Sequence, residues 1–176
     1  MHDTDLLCFI NGLYGYAMAI TRNRADAEDL VQETYVRAIR GKETLRAGSN
    51  VKSWLFTILR NIHLNQLRKQ RTAPRVLEID ADESTANIVV ETSADPLAHY
   101  VRKTEREWLM EAIEQLPAEF REIIVLREFE DLSYVEIAGI LNCPVGTVMS
   151  RLARARSRLR TLLSGQAAGR LADRKQ

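Results

Sequence analysis

The chain has 176 residues, with 25 basic against 24 acidic side chains and 45% hydrophobic residues, so it can hold one sizeable domain or two small ones with modest cores. Cys8 and Cys143 lie far apart without CxxC spacing, and His2, His63 and His99 are scattered, which argues for buried reduced thiols and against a disulfide, a structural zinc or any other metal site. No basic-then-apolar leader and no apolar run long enough to cross a bilayer is present, so a cytoplasmic protein without membrane insertion is expected.

The net charge of +1 hides a strong asymmetry. Asn50–Pro74 carries Lys52, Arg60, Arg68, Lys69 and Arg71 with no acid, and Arg151–Arg160 is a second basic block. Between them Glu78–Asp95 holds Glu78, Asp80, Asp82, Glu83, Glu91 and Asp95 with no base. Two basic surfaces separated by an acidic strip suit contact with nucleic acid at two places.

The apolar period is helical almost throughout, with strand-like alternation only weakly around Ile88–Val90, so an all-α protein is expected. Leu6–Thr21 reads as a first helix. Asp26 to about Arg40 reads as a second, with Ala27, Leu30, Val31, Thr34 and Ala38 inward. On its outer face Asp26, Asp29 and Glu33 recur at i, i+3 and i+7 with Gln32 alongside. Acids near a helix start are favoured by the dipole, and the same acids would also make a docking face for a basic partner; spacing leaves both readings open.

Gly41–Asn50 is a loop, and Val51 to about Arg71 is a third helix with Val51, Trp54, Leu55, Ile58, Leu59 and Ile62 inward. Thr57, Asn61, Asn65 and Arg68 form a polar stripe beside that face, with Arg60, Lys69 and Arg71 nearby. Asparagines are costly inside a helix; two of them four residues apart on a basic helix are either solvated amides or donors and acceptors for base edges.

Thr72–Ala94 loses the period and reads as a linker, and Asp95-Pro96 opens a helix to about Gln115 with Trp108, Leu109, Ala112 and Leu116 as contacts. Pro117–Phe129 follows, carrying Phe120, Ile123, Ile124 and Leu126. Leu132–Leu163 reads as a helix-turn-helix. Ser133 and Glu136 make a capping-box pattern, Val135, Ile137, Ala138 and Leu141 give the first helix a buried face, and Asn142-Cys143-Pro144 breaks it. Val148, Leu152, Ala155 and Leu159 then form one stripe, leaving Thr147, Ser150, Arg151, Arg154 and Arg158 outward. Such an arginine face is either solvated or suited to duplex phosphates and guanine edges, and no acid follows Ile137 until the tail. The tail Ser164–Gln176 is small and polar, and mobility is expected there.

The segments Asp26–Thr34, Ser53–Asn61, Leu116–Arg121, Tyr134–Ala138 and Val145–Leu152 together resemble, in order, the motifs of the extracytoplasmic-function sigma factors of bacterial RNA polymerase. The resemblance implies two small helical domains joined by a flexible linker: a region 2-like domain over residues 1–71, an acidic linker over 72–95, a region 4-like helix-turn-helix domain over 96–163 and a mobile tail over 164–176. It implies that Asp26, Asp29, Gln32 and Glu33 dock on the clamp helices of the largest subunit of core RNA polymerase. Asn50, Trp54, Asn61, Asn65, Arg68 and Lys69 would melt and hold the non-template strand of the minus-ten element. Thr147, Ser150, Arg151, Arg154 and Arg158 would bind the duplex minus-thirty-five element, the first four as its readers and Arg158, like Arg156 and Arg160, on phosphates or in solvent.

An anti-sigma protein is an implied partner, and no cofactor is. Two other classes remain for comparison. A stand-alone helix-turn-helix regulator would share the C-terminal features but has no use for the asparagine helix or the acidic face. A nucleic-acid enzyme would need paired carboxylates, a nucleophile with its base or a glycine-rich phosphate loop, and none stands in a suitable place, so no catalytic residue is expected.

Overall fold

The computed structural model describes residues 6–45, 50–72 and 106–173, and every regular element among them is helical. The expected acidic linker, the start of the helix after Pro96 and the three last residues lie outside the described residues, as do residues 46–49.

Helix α1 spans Ile10–Thr21 and buries Leu13, Tyr16 and Ala17; it ends where Arg22 adopts a left-handed conformation (φ 58°) and returns its N–H to the Met18 carbonyl. The single helix expected over Leu6–Thr21 is corrected: residues 6–7 are helical, but a turn separates them from α1. The chain turns at residues 8–9, with the Phe9 N–H on the Leu6 carbonyl, so Leu6 enters the core while Leu7 and Cys8 are turned outward. The Leu6 carbonyl is held by the Tyr35 hydroxyl at 2.8 Å, which locks this arrangement and leaves Cys8 exposed rather than buried.

Helix α2 (Arg24–Gly41) starts on Asn23, whose side chain accepts from the Asp26 N–H at 3.0 Å. Ala27, Leu30, Val31, Thr34 and Ala38 are buried as their spacing predicts, and the Thr34 hydroxyl is satisfied by the Leu30 carbonyl at 2.7 Å. Helix α3 (Val51–Thr72) lies against α2 with Leu55, Leu59 and Ile62 buried, and also Phe56, which the inward stripe had not included. Phe56 is turned toward the second half of the molecule and meets Tyr16 with ring centroids 5.3 Å apart.

In the second half, residues 106–114 are helical (α4), and α5 (Ala118–Ile124) follows Pro117 and widens into a π turn at Val125–Phe129. Asp131 (φ 52°) reverses the chain into α6 (Tyr134–Leu141). The Ser133 capping box forms, Asn142 closes α6 in a left-handed conformation (φ 48°), and the Cys143 N–H returns to the Ala138 carbonyl at 3.0 Å. Cys143 is half-buried there rather than enclosed.

Val135 is a second correction. It is 71% exposed, because the stripe that packs is Ile137, Ala138, Ile140 and Leu141, and Val135 stands opposite Ile137 and Leu141 on the helix. Helix α7 (Val145–Asp173) packs on α5 and α6 through Val148, Leu152 and Ala155, and it runs past the expected end at Leu163. The segment beyond Leu163 contains glycine but no proline, and a glycine penalises a helix by only about 1 kcal/mol.

The two halves do not stand apart. Helix α1 packs on α5 and the π turn, and α3 packs on α6, so one contiguous apolar cluster joins Leu13 and Leu59 to Ile123, Ile137 and Leu152.

Candidate nucleic-acid interface

The residues expected to meet a protein partner sit on the outer side of α2. Asp26, Asp29 and Gln32 are exposed, whereas Glu33 is half-buried and accepts from Arg37 at 2.6 Å. Asp29, Gln32 and Glu33, with Val36 and Arg37, form one wall of a groove of about 410 Å³ whose other wall is Ile62, Asn65, Gln66 and Lys69 of α3. Residues expected on two separate surfaces, carboxylates from α2 and an asparagine and lysine from α3, therefore line one groove. Asp26 is not part of it.

Along α3, Asn61, Asn65, Arg68 and Lys69 are exposed and Trp54 is half-buried, as a polar stripe beside an apolar face requires. Arg68 reaches the Asn65 side-chain oxygen at 3.4 Å. Asn50 stands apart from these. Its side-chain oxygen accepts from the Ser53 N–H at 3.3 Å at the start of α3, and its amide donates to the Glu136 carboxylate on α6. The fold thus ties this residue to the helix-turn-helix.

Glu136 is also the acceptor of the Ser133 N–H at 2.7 Å and of the Ser133 hydroxyl at 2.6 Å. Those two hydrogen bonds, more than Asn50 or Lys52, hold its carboxyl below the ordinary range. On α7, Ser150, Arg154 and Arg158 are exposed and Thr147 and Arg151 half-buried. The Ser150 hydroxyl bonds the Thr147 carbonyl at 3.1 Å, and Arg151 lies 3.7 Å from Glu119. Arg156, expected on phosphates or in solvent, is exposed and paired within the protein: Glu128 accepts from its Nε at 2.9 Å and from its Nη2 at 2.6 Å.

The set that sequence reasoning missed is the seam between the halves. Glu122 of α5 accepts from the Tyr16 hydroxyl at 2.6 Å and from Arg60 Nε at 2.7 Å. Burial first, and then the Glu122 charge, raise the Tyr16 phenol well above its usual range, so it stays a donor. Arg60 also reaches the Ile140 carbonyl at 3.4 Å, and Lys52 bridges to the Glu130 carboxylate at 2.9 Å and to its carbonyl at 2.6 Å.

Arg121 is 5% exposed and donates to the Ala19 carbonyl near the end of α1 at 2.6 Å and to the Glu114 carbonyl at 2.8 Å. A guanidinium at a helix C-terminus satisfies carbonyls that lack a partner within the helix. The signal available in the sequence was an arginine followed by a glutamate inside an apolar run, Phe120 to Leu126. Gly12 belongs to the same seam, because a Cβ there would collide with the Glu130 carboxylate.

The second half has an apolar groove of about 790 Å³ bounded by Leu109, Ile113, Phe129 and Leu159, with Arg156 and Arg160 on its rim. Among the described residues no group of three or more His, Cys, Asp or Glu is placed to hold a metal, and no helix is long and apolar enough to cross a membrane.

Residues 8–73 match the family Sigma-70 region 2, and residues 106–159 match Sigma-70, region 4. The ECF RNA polymerase sigma factor EcfG of Rhodopseudomonas palustris is 39% identical over 159 residues, covering 90% of this chain and 83% of that protein. The ECF RNA polymerase sigma-E factor of Salmonella typhimurium is 37% identical over 134 residues, covering 74% of this chain and 70% of that protein. Among solved structures, the sigma factor RpoE from Bartonella quintana, in complex with the anti-sigma factor NepR, superimposes with a TM-score of 0.68 at 33% identity over 92% of this chain and 95% of that one. CnrH in complex with the cytosolic domain of CnrY shares the fold, at a TM-score of 0.57 and 22% identity over 93% of this chain and 88% of that one.

Proposed function

This chain belongs to the ECF RNA polymerase sigma factors, and from that premise we propose that its two halves divide the work of promoter recognition. The α2 wall of the groove, Asp29, Gln32 and Glu33 with Asp26 nearby, docks on the clamp of the largest polymerase subunit. Asn61, Asn65, Arg68 and Lys69, with Asn50 and Trp54, hold the melted non-template strand of the minus-ten element. Thr147, Ser150, Arg151, Arg154 and Arg158 meet the duplex minus-thirty-five element. The protein acts by binding, without chemistry of its own, in the cytoplasm where its template is.

The observation that carries this reading is the exposed stripe Asn61, Asn65, Arg68 and Lys69 on a helix that is apolar on its other face, in the same chain as a capped helix-turn-helix. Amides suit the edges of unstacked bases and cations suit phosphates. Extruding a base costs a few kcal/mol, which such contacts offset. The two elements are separated by about 25 base pairs, roughly 80 Å at the duplex rise. Here Arg60, one residue before Asn61, touches α6 of the helix-turn-helix, so the halves separate when both elements are engaged. The apolar groove rimmed by Arg156 and Arg160 suits a helix of a protein partner, an anti-sigma factor among them.

Run-off transcription on promoter fragments of the source genome, with purified core polymerase and with or without this protein, tests the reading. Discrete start sites that need the protein support it; tight duplex binding by the protein alone, with no dependence of transcription on it, would return it to the class of stand-alone regulators. Changing Asn61 and Asn65 together to alanine should abolish strand opening while core binding persists.

A further inference from the structure

The outward edge of α7 changes character along its length. Its buried stripe, Val148, Leu152 and Ala155, fixes which residues point away from the protein. In the first two turns those are Val145 (37% exposed), Gly146, Met149 (54% exposed) and Ser150. None carries a charge. Further along, Arg156 and Arg160 follow Met149 on its own side, and Arg151, Arg154 and Arg158 continue from Thr147 on the other flank of the outward face. A Cβ on Gly146 would meet nothing within 4 Å, so this edge is open as well as uncharged.

In a helix-turn-helix the first turns of the second helix approach base edges, while cations further along contact phosphates. Met149 has no donor, and its thioether is a poor acceptor. The group in the major groove that complements an apolar side chain is the C5-methyl of thymine. A protein partner is the less favoured occupant of this edge: Arg156 and Arg160 follow Met149 on its own side of α7, Arg154 and Arg158 stand across the same outward face, and no acid occurs on α7 before Asp173, which complements a polyanion.

We propose that Met149, with Val145 one turn before it, reads a thymine in the upstream promoter element through its 5-methyl group. This rests on the reading of α7 as the duplex-contacting helix, and it adds a specificity residue to the polar set assigned above. The polar contacts position the helix, and Met149 makes one base pair of the element T·A-dependent.

The test uses the full chain bound to core polymerase on a synthetic promoter taken from a start site found by run-off transcription. Each thymine of the upstream element, on either strand, is replaced singly by deoxyuridine, which removes only the methyl group. For the wild type, one or two replacements should weaken promoter binding about fourfold, the size expected for burying one methyl group. The same replacements should leave Met149→Ala unaffected, and Met149→Leu should respond as the wild type does.

Met149 is exposed, so these variants keep the fold, and their melting curves check it. Arg154→Ala serves as the control for the helix itself. If Arg154→Ala weakens binding while no deoxyuridine distinguishes wild type from Met149→Ala, Met149 is not a reader. If Arg154→Ala, Met149→Ala and every deoxyuridine are all without effect, or if no start site depends on the protein, the duplex-contacting role of α7 falls and the proposal falls with it.

Discussion

Within each half of the molecule the helices meet through aliphatic side chains, Leu30 with Leu55 and Leu59 in the first, Ile123 with Val148 and Leu152 in the second. Where the halves meet, that apolar contact is joined by Tyr16, Arg60, Glu122, Arg121, Lys52 and Glu130. The difference is physical. Apolar contacts are non-directional and water offers them no substitute, so separating them unfolds the unit. Buried polar contacts depend on geometry and on the exclusion of water, and once the halves part, water can satisfy every group involved. A seam that adds these polar contacts to its apolar ones should part before either half melts, and variants of the core and of the seam test this.

Breaking a core contact should have the largest effect. Leu152→Ala should lower unfolding stability by about 2–5 kcal/mol in urea titration, since it leaves a cavity at a residue with 1% exposure. Breaking the seam should cost less and change shape more. Arg121→Ala orphans the Ala19 and Glu114 carbonyls and should remove about 1–3 kcal/mol, with a larger radius of gyration by small-angle scattering and unchanged helix content. An unchanged radius would mean that the apolar part of the seam holds the halves by itself.

Arg60→Ala and Glu122→Gln, each alone and then combined, should be strongly non-additive, because Arg60 and Glu122 share one hydrogen bond in a site where both side chains are largely buried. Additive losses would sink the idea that the pair acts as one unit.

A smaller effect comes from pH. Burial, helped by the Arg60 charge and outweighing the opposing charges of Glu122 and Asp26, lowers the His63 pKa below its ordinary 6.5. The unfolded chain then takes up a proton more readily than the folded one. The contribution is complete above the unfolded value and is lost as pH falls through 6.5 toward the folded value. The melting temperature should drop between pH 7.5 and pH 5.5, about the two sides of that window, and His63→Gln should flatten the drop. The smallest effect belongs to the surface pair Arg24–Glu28, exposed on both sides, where Arg24→Ala should leave the melting temperature unchanged.

Much of the fold could be read from periodicity. The inward set of α2 and the capping box at Ser133 stand where the spacing put them, because a helix packed on one side repeats its apolar residues and its start needs an acceptor for free N–H groups. Val135 was misread because a spacing of three also fits a helix face, and only the positions of Ile140 and Leu141 show which face is packed. Cys8 was misread because its apolar neighbours suggested a buried position on one unbroken helix, whereas the chain turns at residues 8–9 and the Tyr35 hydroxyl holds the Leu6 carbonyl before that turn.

For the candidate site, the exposed stripe on α3 was legible as polar residues at helical spacing. The shared groove of Asp29, Gln32, Glu33, Asn65 and Lys69 was not, since it exists only where α2 and α3 lie side by side.

The order of the helices, the inward face of α2, the two basic surfaces and membership of the sigma family follow from the sequence by itself, because each depends on residues close together in the chain or on motifs in a fixed order. The tertiary structure decided what depends on distant residues meeting: that Arg121 caps the end of α1, that Glu122 joins Tyr16 to Arg60, and that Asn50 is tied to Glu136. A charged side chain's partner is set by whichever surface comes within about 3 Å of it, and for these residues that surface belongs to the other half of the molecule.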